Sequence, residues 1–147
     1  MKEFEEQECM NECIVCSTSN PASLRAKFYS VDKGKVEGVF TGRDEHASYK
    51  GRMHGGLIAA VLDEAMGRTL WTDRPDKLAV TATMDVTYIK PVPLGVELHC
   101  YGRIIYENEK MFNAEAEIVL PDGQIAAKSS GLYVFQSQEQ IDKVLKG

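Results

Sequence analysis

The chain predicts an α+β fold in which one long helix lies against an antiparallel sheet of about six strands. Two patterns carry this expectation. Residues 55–70 form the single long proline-free segment rich in Ala, Leu and Met, and β-type alternation flanks it on both sides. Residues 24–31 read as a strand, Asp32-Lys33-Gly34 as a tight turn, and residues 36–41 as the hairpin partner. A loop runs on to Met53. After Pro75 the chain turns to β again, and residues 78–90, rich in Val and Thr, stop at Pro91-Val92-Pro93-Leu94-Gly95. Val96, Leu98, Cys100, Gly102 and Ile104 alternate onto one face of the next strand, and Ala114, Ala116, Ile118 and Leu120 onto one face of its successor. Pro121-Asp122-Gly123 is a turn, residues 124–135 the last strand, and the tail from Gln136 a short polar helix. Only the sheet is available to cover the helix, so the helix must bury itself there.

A length of 147 residues suits one domain with a real core, here 1–147, with a Cys-containing N-terminal segment (1–23) and a C-terminal tail (137–147). The hydrophobic share of 44% and charged share of 27% are those of an ordinary soluble protein. A formal net charge of −5 argues against a general nucleic-acid binder, although local cations could still serve a small anionic ligand. Met1-Lys2-Glu3-Phe4-Glu5-Glu6 lacks the apolar run of a signal peptide, and no apolar stretch approaches the roughly 18 residues that cross a bilayer. A cytoplasmic protein with no membrane or nucleic-acid partner is expected.

That setting disfavours disulfides. Cys9, Cys13 and Cys16 are spaced C-x3-C-x2-C, as in radical enzymes that hold an iron–sulfur cluster, but the repeating βα pattern of their barrels is absent. A zinc site would need a fourth ligand, and no second paired motif follows. Reduced, partly buried thiols and no metal are the expectation.

On the helix, Leu57, Ile58, Val61, Leu62 and Met66 form a broad core-facing stripe. A second stripe, Ala59, Ala60, Asp63 and Gly67, consists of small residues around one carboxylate, as if another backbone or a ligand came close. A buried carboxylate is costly unless paired, which makes Asp63 the candidate for chemistry. His54-Gly55-Gly56 stands where the helix begins. The first N–H groups of a helix have no intrahelical partner and lie at the positive end of its dipole, so they suit a carbonyl oxygen that gains negative charge. Gly55 and Asp63 are eight residues apart, roughly 12 Å along a helix. A reacting carbonyl must sit about 3 Å from both its oxyanion donor and the group that drives attack. If both residues act on one carbonyl, they come from two chains related by a two-fold axis.

The stretch HGGLIAAVLDEAMG, His-Gly-Gly with Asp63 nine positions after His54, resembles the central helix of hotdog-fold acyl-CoA thioesterases of the phenylacetate-pathway and thioesterase-superfamily type. Cys13-Ile14-Val15-Cys16 through Asn20-Pro21 and residues 24–29 resemble the opening of one branch. Residues 46–51 resemble the loop before the helix, and residues 80–95, with Tyr88 and Pro91, the strand and turn after it. The resemblance implies a hotdog fold, hydrolysis of a small or medium acyl-CoA, no cofactor beyond the coenzyme A of the substrate, and a homodimer, with pairing into a homotetramer left open. It implies Asp63 as general base or nucleophile, the Gly55 N–H of the opposite subunit as oxyanion donor, and His54 as a shaper of the loop. Thr81 falls where relatives hold the attacking water. Gly56, His46 and Ser48 would border the substrate, although His46 also reads as an anchor of its loop and Ser48 replaces the Asn or Gln of several relatives. Lys50, Arg52, Arg68, Lys90, Arg103 and Lys128 are candidates for the phosphates of coenzyme A. Phe28, Phe40, Tyr49, Trp71, Tyr88 and Tyr133 are expected mainly in the core, and His99 on the surface.

Two other functions fit the same fold. A hydratase or dehydratase would pair a loop histidine with a helix acid, such as His46 with Glu64. A non-catalytic acyl-CoA-binding protein would bind without turnover.

Overall fold

The computed structural model describes residues 4–146. Seven strands make one antiparallel sheet: β1 (Glu5–Glu6), β2 (Lys27–Asp32), β3 (Lys35–Thr41), β4 (Ala79–Tyr88), β5 (Glu97–Glu107), β6 (Met111–Val119) and β7 (Ile125–Phe135). Their order across the sheet is β1-β2-β3-β5-β6-β7-β4. The helix α1 (Gly55–Arg68) lies across the central strands, continues as a 3-10 turn (Thr69–Thr72), and a second helix α2 (Gln138–Lys146) ends the chain. The six expected strands and the helix are therefore present. The two-residue β1 is an addition that pairs with β2 through Glu5 and Glu6, too short to be legible as a period.

The β2–β3 turn closes as expected, with Gly34 at φ +71, a conformation that glycine adopts without Cβ penalty. Alternation on β5 and β6 is realised from Leu98 onward, with Leu98, Cys100, Ala114, Ala116 and Ile118 buried, whereas Val96 precedes β5 and is exposed. Ile58, Val61, Leu62, Ala65 and Met66 supply the helix side of that core. Leu57 is only half-buried, so the core-facing stripe is shifted one step around the helix from the expected one. Phe28, Phe40 and Tyr133 are core residues, whereas Tyr49 (78% exposed) and Tyr88 (53%) are not. Tyr49 lies in the loop before α1, and Tyr88 ends β4 at the open edge of the sheet, on the side that faces the start of the helix.

The strand β4 carries the feature that matters most for the site. Its pairing with β7 shifts register between Thr81 and Thr83, which leaves Ala82 as an extra residue. Such a bulge reverses the parity of alternation. Thr81 on one side of it and Met84, Val86 and Tyr88 on the other therefore share the helix-facing side, while Asp85 turns outward to Ser130. Beyond β4 the sheet has no further strand among the described residues.

Helix and sheet approach closely at Gly102. A Cβ there would lie 2.6 Å from the carbonyl oxygen of Ala65 and 3.1 Å from Val36 Cγ2. The obstacle is backbone and cannot rotate away. Gly102→Ala is expected to destabilise the fold by about 1–3 kcal/mol through overpacking, measured by urea unfolding. An unchanged midpoint would mean that the helix rides higher over β5 than described.

Candidate active site

Asp63 projects from α1 toward the seam between β4 and β7. Its Oδ1 accepts two hydrogen bonds of 2.7 Å, from the hydroxyls of Thr81 and Tyr133. These donors face each other across the sheet as a registered pair, and the bulge after Thr81 keeps both on the helix side. The Tyr133 hydroxyl also reaches the main-chain oxygen of Asp63 at 3.2 Å. Tyr133 is buried and stacks on Phe112, with ring centroids 5.0 Å apart. Burial, reinforced by the adjacent Asp63 carboxylate, pushes the Tyr133 phenol well above its ordinary range, so it remains a donor. Oδ2 takes no hydrogen bond among the described residues, and Asp63 is half-buried beside an exposed Thr81. One oxygen is anchored and the other is presented to the open side.

The start of α1 is arranged with equal economy. His54 is the N-cap, and its Nδ1 accepts the Gly56 N–H at 2.8 Å. The N–H groups of Leu57 and Ile58 reach the His54 carbonyl at 3.0 and 3.1 Å. That leaves the Gly55 N–H without an acceptor among the described residues, at the positive end of the helix dipole. The Tyr88 hydroxyl donates to the Gly55 carbonyl at 2.7 Å and fixes the peptide from the sheet side. A Cβ at Gly55 would come 3.4 Å from the Tyr88 ring, so the space there is narrow.

Of the expected substrate-bordering residues, His54 and Gly56 are thus joined to each other in the cap. Ser48 is exposed in the preceding loop, where its N–H bonds the Arg52 carbonyl at 3.0 Å. His46 takes the loop-anchoring role and not the substrate-bordering one. It is 2% exposed, its Nδ1 accepts the Arg43 N–H at 2.9 Å, and its Nε2 lies 2.8 Å from the Ala22 carbonyl. Both nitrogens are engaged by backbone, so the ring pins the loop to the N-terminal segment and offers nothing to a substrate. The imagined His46–Glu64 pair of a hydratase does not form, because Glu64 binds Arg68 at 2.9 Å. Arg68 also leaves the set of phosphate candidates, being buried at 2% exposure, and Arg103 is paired with Glu115 at 2.6 Å. His99 sits on the surface beside Glu37, as expected.

Tyr133 is the functional residue that sequence reasoning assigned only to the core. Its alternation on β7 marks it as inward-facing, but nothing in the pattern tells that its hydroxyl lies under Asp63.

The anchoring role of His46 has a direct consequence. His46→Ala should cost about 2–4 kcal/mol, from a cavity together with an unpaired carbonyl and N–H, and chemical denaturation would register it. A substrate-contacting histidine at the surface would leave the unfolding midpoint in place.

Over residues 50–127, more than half of the chain, the sequence matches the thioesterase superfamily. An uncharacterized protein of Schizosaccharomyces pombe is 29% identical over 129 residues, covering 81% of this chain and 71% of its own. A solved thioesterase superfamily protein superposes with a TM-score of 0.76 at 25% identity, and the match takes in 84% of this chain and 60% of that one. A Streptococcus mutans protein solved bound to acetyl CoA superposes with a TM-score of 0.69 at 24% identity, over 75% of this chain and 87% of its own. Sequence and architecture converge: the chain belongs to the thioesterase superfamily and has its hotdog fold.

Proposed function

We propose that the protein hydrolyses a small or medium acyl-CoA thioester as a two-fold homodimer, with Asp63 of one protomer and the Gly55 N–H of the other acting on the same carbonyl. One observation carries this reading: of the helix-start N–H groups, Gly55 alone lacks an acceptor, while Asp63 is held through one oxygen with the other free. Oxyanion donor and carboxylate are the two groups that thioester hydrolysis needs. They lie roughly 12 Å apart on one helix, so a single chain supplies half of each site. The open edge of β4, with Val80 47% exposed, is a surface on which a second copy would continue the sheet beside Asp63.

As general base, Asp63 Oδ2 takes a proton from a water that adds to the thioester carbonyl, with Thr81 able to orient that water. As nucleophile, Oδ2 adds to the carbonyl itself and water later cleaves the anhydride. In either course the negative charge on the carbonyl oxygen falls on the Gly55 N–H, and coenzyme A leaves as the thiol after protonation. The helix dipole favours that charge, and Tyr88 keeps the donor in place. The acetyl CoA in the Streptococcus mutans relative and the coenzyme A in a Streptococcus pneumoniae thioesterase structure support this ligand class. Among the described residues no helix is long and apolar enough to cross a membrane.

Asp63→Asn should lower kcat by about 10²–10⁴-fold on a panel of acyl-CoA esters while binding persists. Turnover that survives the change removes Asp63 from the reaction, and a wild type that binds but never releases thiol makes this a binding protein. In a single turnover in ¹⁸O-water, label in the Asp63 carboxylate identifies the nucleophile course, whereas label in the product acid alone fits either course.

The two-chain site has its own test. Gly55→Pro removes the donor at a position where proline suits a helix start. Chains bearing Gly55→Pro and Asp63→Asn, inactive alone, should recover about a quarter of wild-type activity when refolded together, because each mixed dimer has one intact site. No recovery from well-formed mixed dimers would place both groups within one chain.

A further inference from the structure

Away from the candidate active site, the N-terminal segment lies against the exposed side of α1 with three potential metal ligands turned toward one another. Cys13 Sγ, Cys16 Sγ and a Glu64 carboxylate oxygen all lie within 4.8 Å of one another. Cys13 Sγ and Glu64 Oε1 are 3.8 Å apart. Zinc–sulfur bonds of about 2.3 Å and zinc–oxygen bonds of about 2.0–2.2 Å in a tetrahedron put neighbouring ligand atoms about 3.5–3.8 Å apart. A sulfur–oxygen separation of 3.8 Å is long for a thiol hydrogen bond and close to that spacing.

Hydrogen-bond donors reach both sulfurs, although Cys16, burial and the adjacent Glu64 carboxylate push the metal-free Cys13 thiol up. Cys13 Sγ accepts the N–H groups of Val15 and Cys16 at 3.3 and 3.4 Å, so the C-x2-C turn wraps its own backbone donors around the first sulfur. Cys16 Sγ accepts Arg68 Nη2 at 3.0 Å in a buried setting. Arg68 in turn holds Glu64 Oε1 through Nε at 2.9 Å. Outer donors of this kind orient ligands and offset their charge. A dication with two thiolates and one carboxylate would carry one net negative charge, and the Arg68 guanidinium brings the buried cluster to neutrality.

We propose that Cys13, Cys16 and Glu64 form a zinc site that clamps the N-terminal segment onto α1. Two thiolates with a carboxylate suit zinc better than calcium or magnesium, which prefer all-oxygen ligands, or iron–sulfur clusters, which require more thiolates. Against the expectation of no metal, Glu64 adds a third protein ligand from a distant part of the sequence, water stands in for the fourth, and Cys9 lies outside the group. The site tethers a loop otherwise held by Arg68 and by main-chain bonds such as Leu24 N–H to Ile14 O at 2.9 Å. Its role is structural and independent of thioester chemistry.

Cobalt supplies the test, because thiolate ligation gives it an intense sulfur-to-metal absorption. The reduced full chain, freed of metal by chelator, is titrated with Co²⁺ while circular dichroism reports folding. The expected result is a charge-transfer band that saturates at one cobalt per chain and is displaced by one equivalent of Zn²⁺. Cys13→Ser/Cys16→Ser abolishes the band, Glu64→Gln weakens zinc binding at least about 10-fold, and Cys9→Ser leaves both unchanged. Zinc should also raise the melting temperature of the wild type and not that of the double variant. A folded, reduced wild type without the band overturns the site, as does a band that survives loss of both cysteines. If the reduced chain takes up no cobalt but closes a Cys13–Cys16 disulfide with glutathione disulfide, the pair is a redox couple instead.

Discussion

A carboxylate set into the face where helix meets sheet must be satisfied there, and much of this fold is arranged around doing so for Asp63. Two hydroxyls supply the donors, one from β4 and one from β7, and both converge on a single oxygen. The bulge at Ala82 is what allows it. Without that extra residue, strict alternation would place either Thr81 or the Met84-Val86-Tyr88 set on the wrong side of the sheet. Tyr133 is in turn positioned by its stack on Phe112, and Gly131 beside it sits in a tight space, a Cβ there falling 3.0 Å from the Tyr133 ring. With Oδ1 satisfied and Oδ2 unbonded among the described residues, the same contact that stabilises the half-buried charge also orients it.

The N-terminus of α1 meets the opposite requirement, which is to leave one donor unsatisfied in a defined place. A serine or aspartate cap would serve stability equally well. Here the cap is His54, whose ring takes the Gly56 N–H, while its carbonyl takes the next two. The remaining N–H belongs to Gly55, whose lack of a side chain keeps the approach clear. Donor and carboxylate therefore sit at two ends of one rigid element. Helix rise keeps them roughly 12 Å apart, which is why the proposed reaction calls for two chains.

A second buried charge organises the other side of the helix. Arg68 is enclosed by the N-terminal segment, with its donors on Glu64, Cys16, Gln7 and the Glu8 carbonyl and its guanidinium against the rings of Phe28 and Trp71. Burying an arginine is tolerable only when every donor is met and an anion is near. Glu64 meets the second condition, which removes it from any part in chemistry at the opposite face. The two charged positions of the helix, 63 and 64, thus serve unrelated ends although they are adjacent in the chain.

Much of this was legible from the residues alone. Strand period, the single long helix, the Asp32-Lys33-Gly34 turn and the buried faces of β5 and β6 follow from patterns that repeat every two or 3.6 residues, and local periodicity survives folding. Asp63 also stood out as a carboxylate among small residues, and the structure brings the hydroxyls of Thr81 and Tyr133 to it. Tertiary structure decided what depends on partners distant in sequence. Tyr133 reaches Asp63 from seventy residues away, and His46 finds the Ala22 carbonyl and turns from substrate contact to anchor. Arg68 is drawn inward by a segment that precedes it by fifty residues or more. A bulge, a buried ion pair and a hydroxyl under a carboxylate leave no period behind them; they arise only when separate strands are brought into register over the helix.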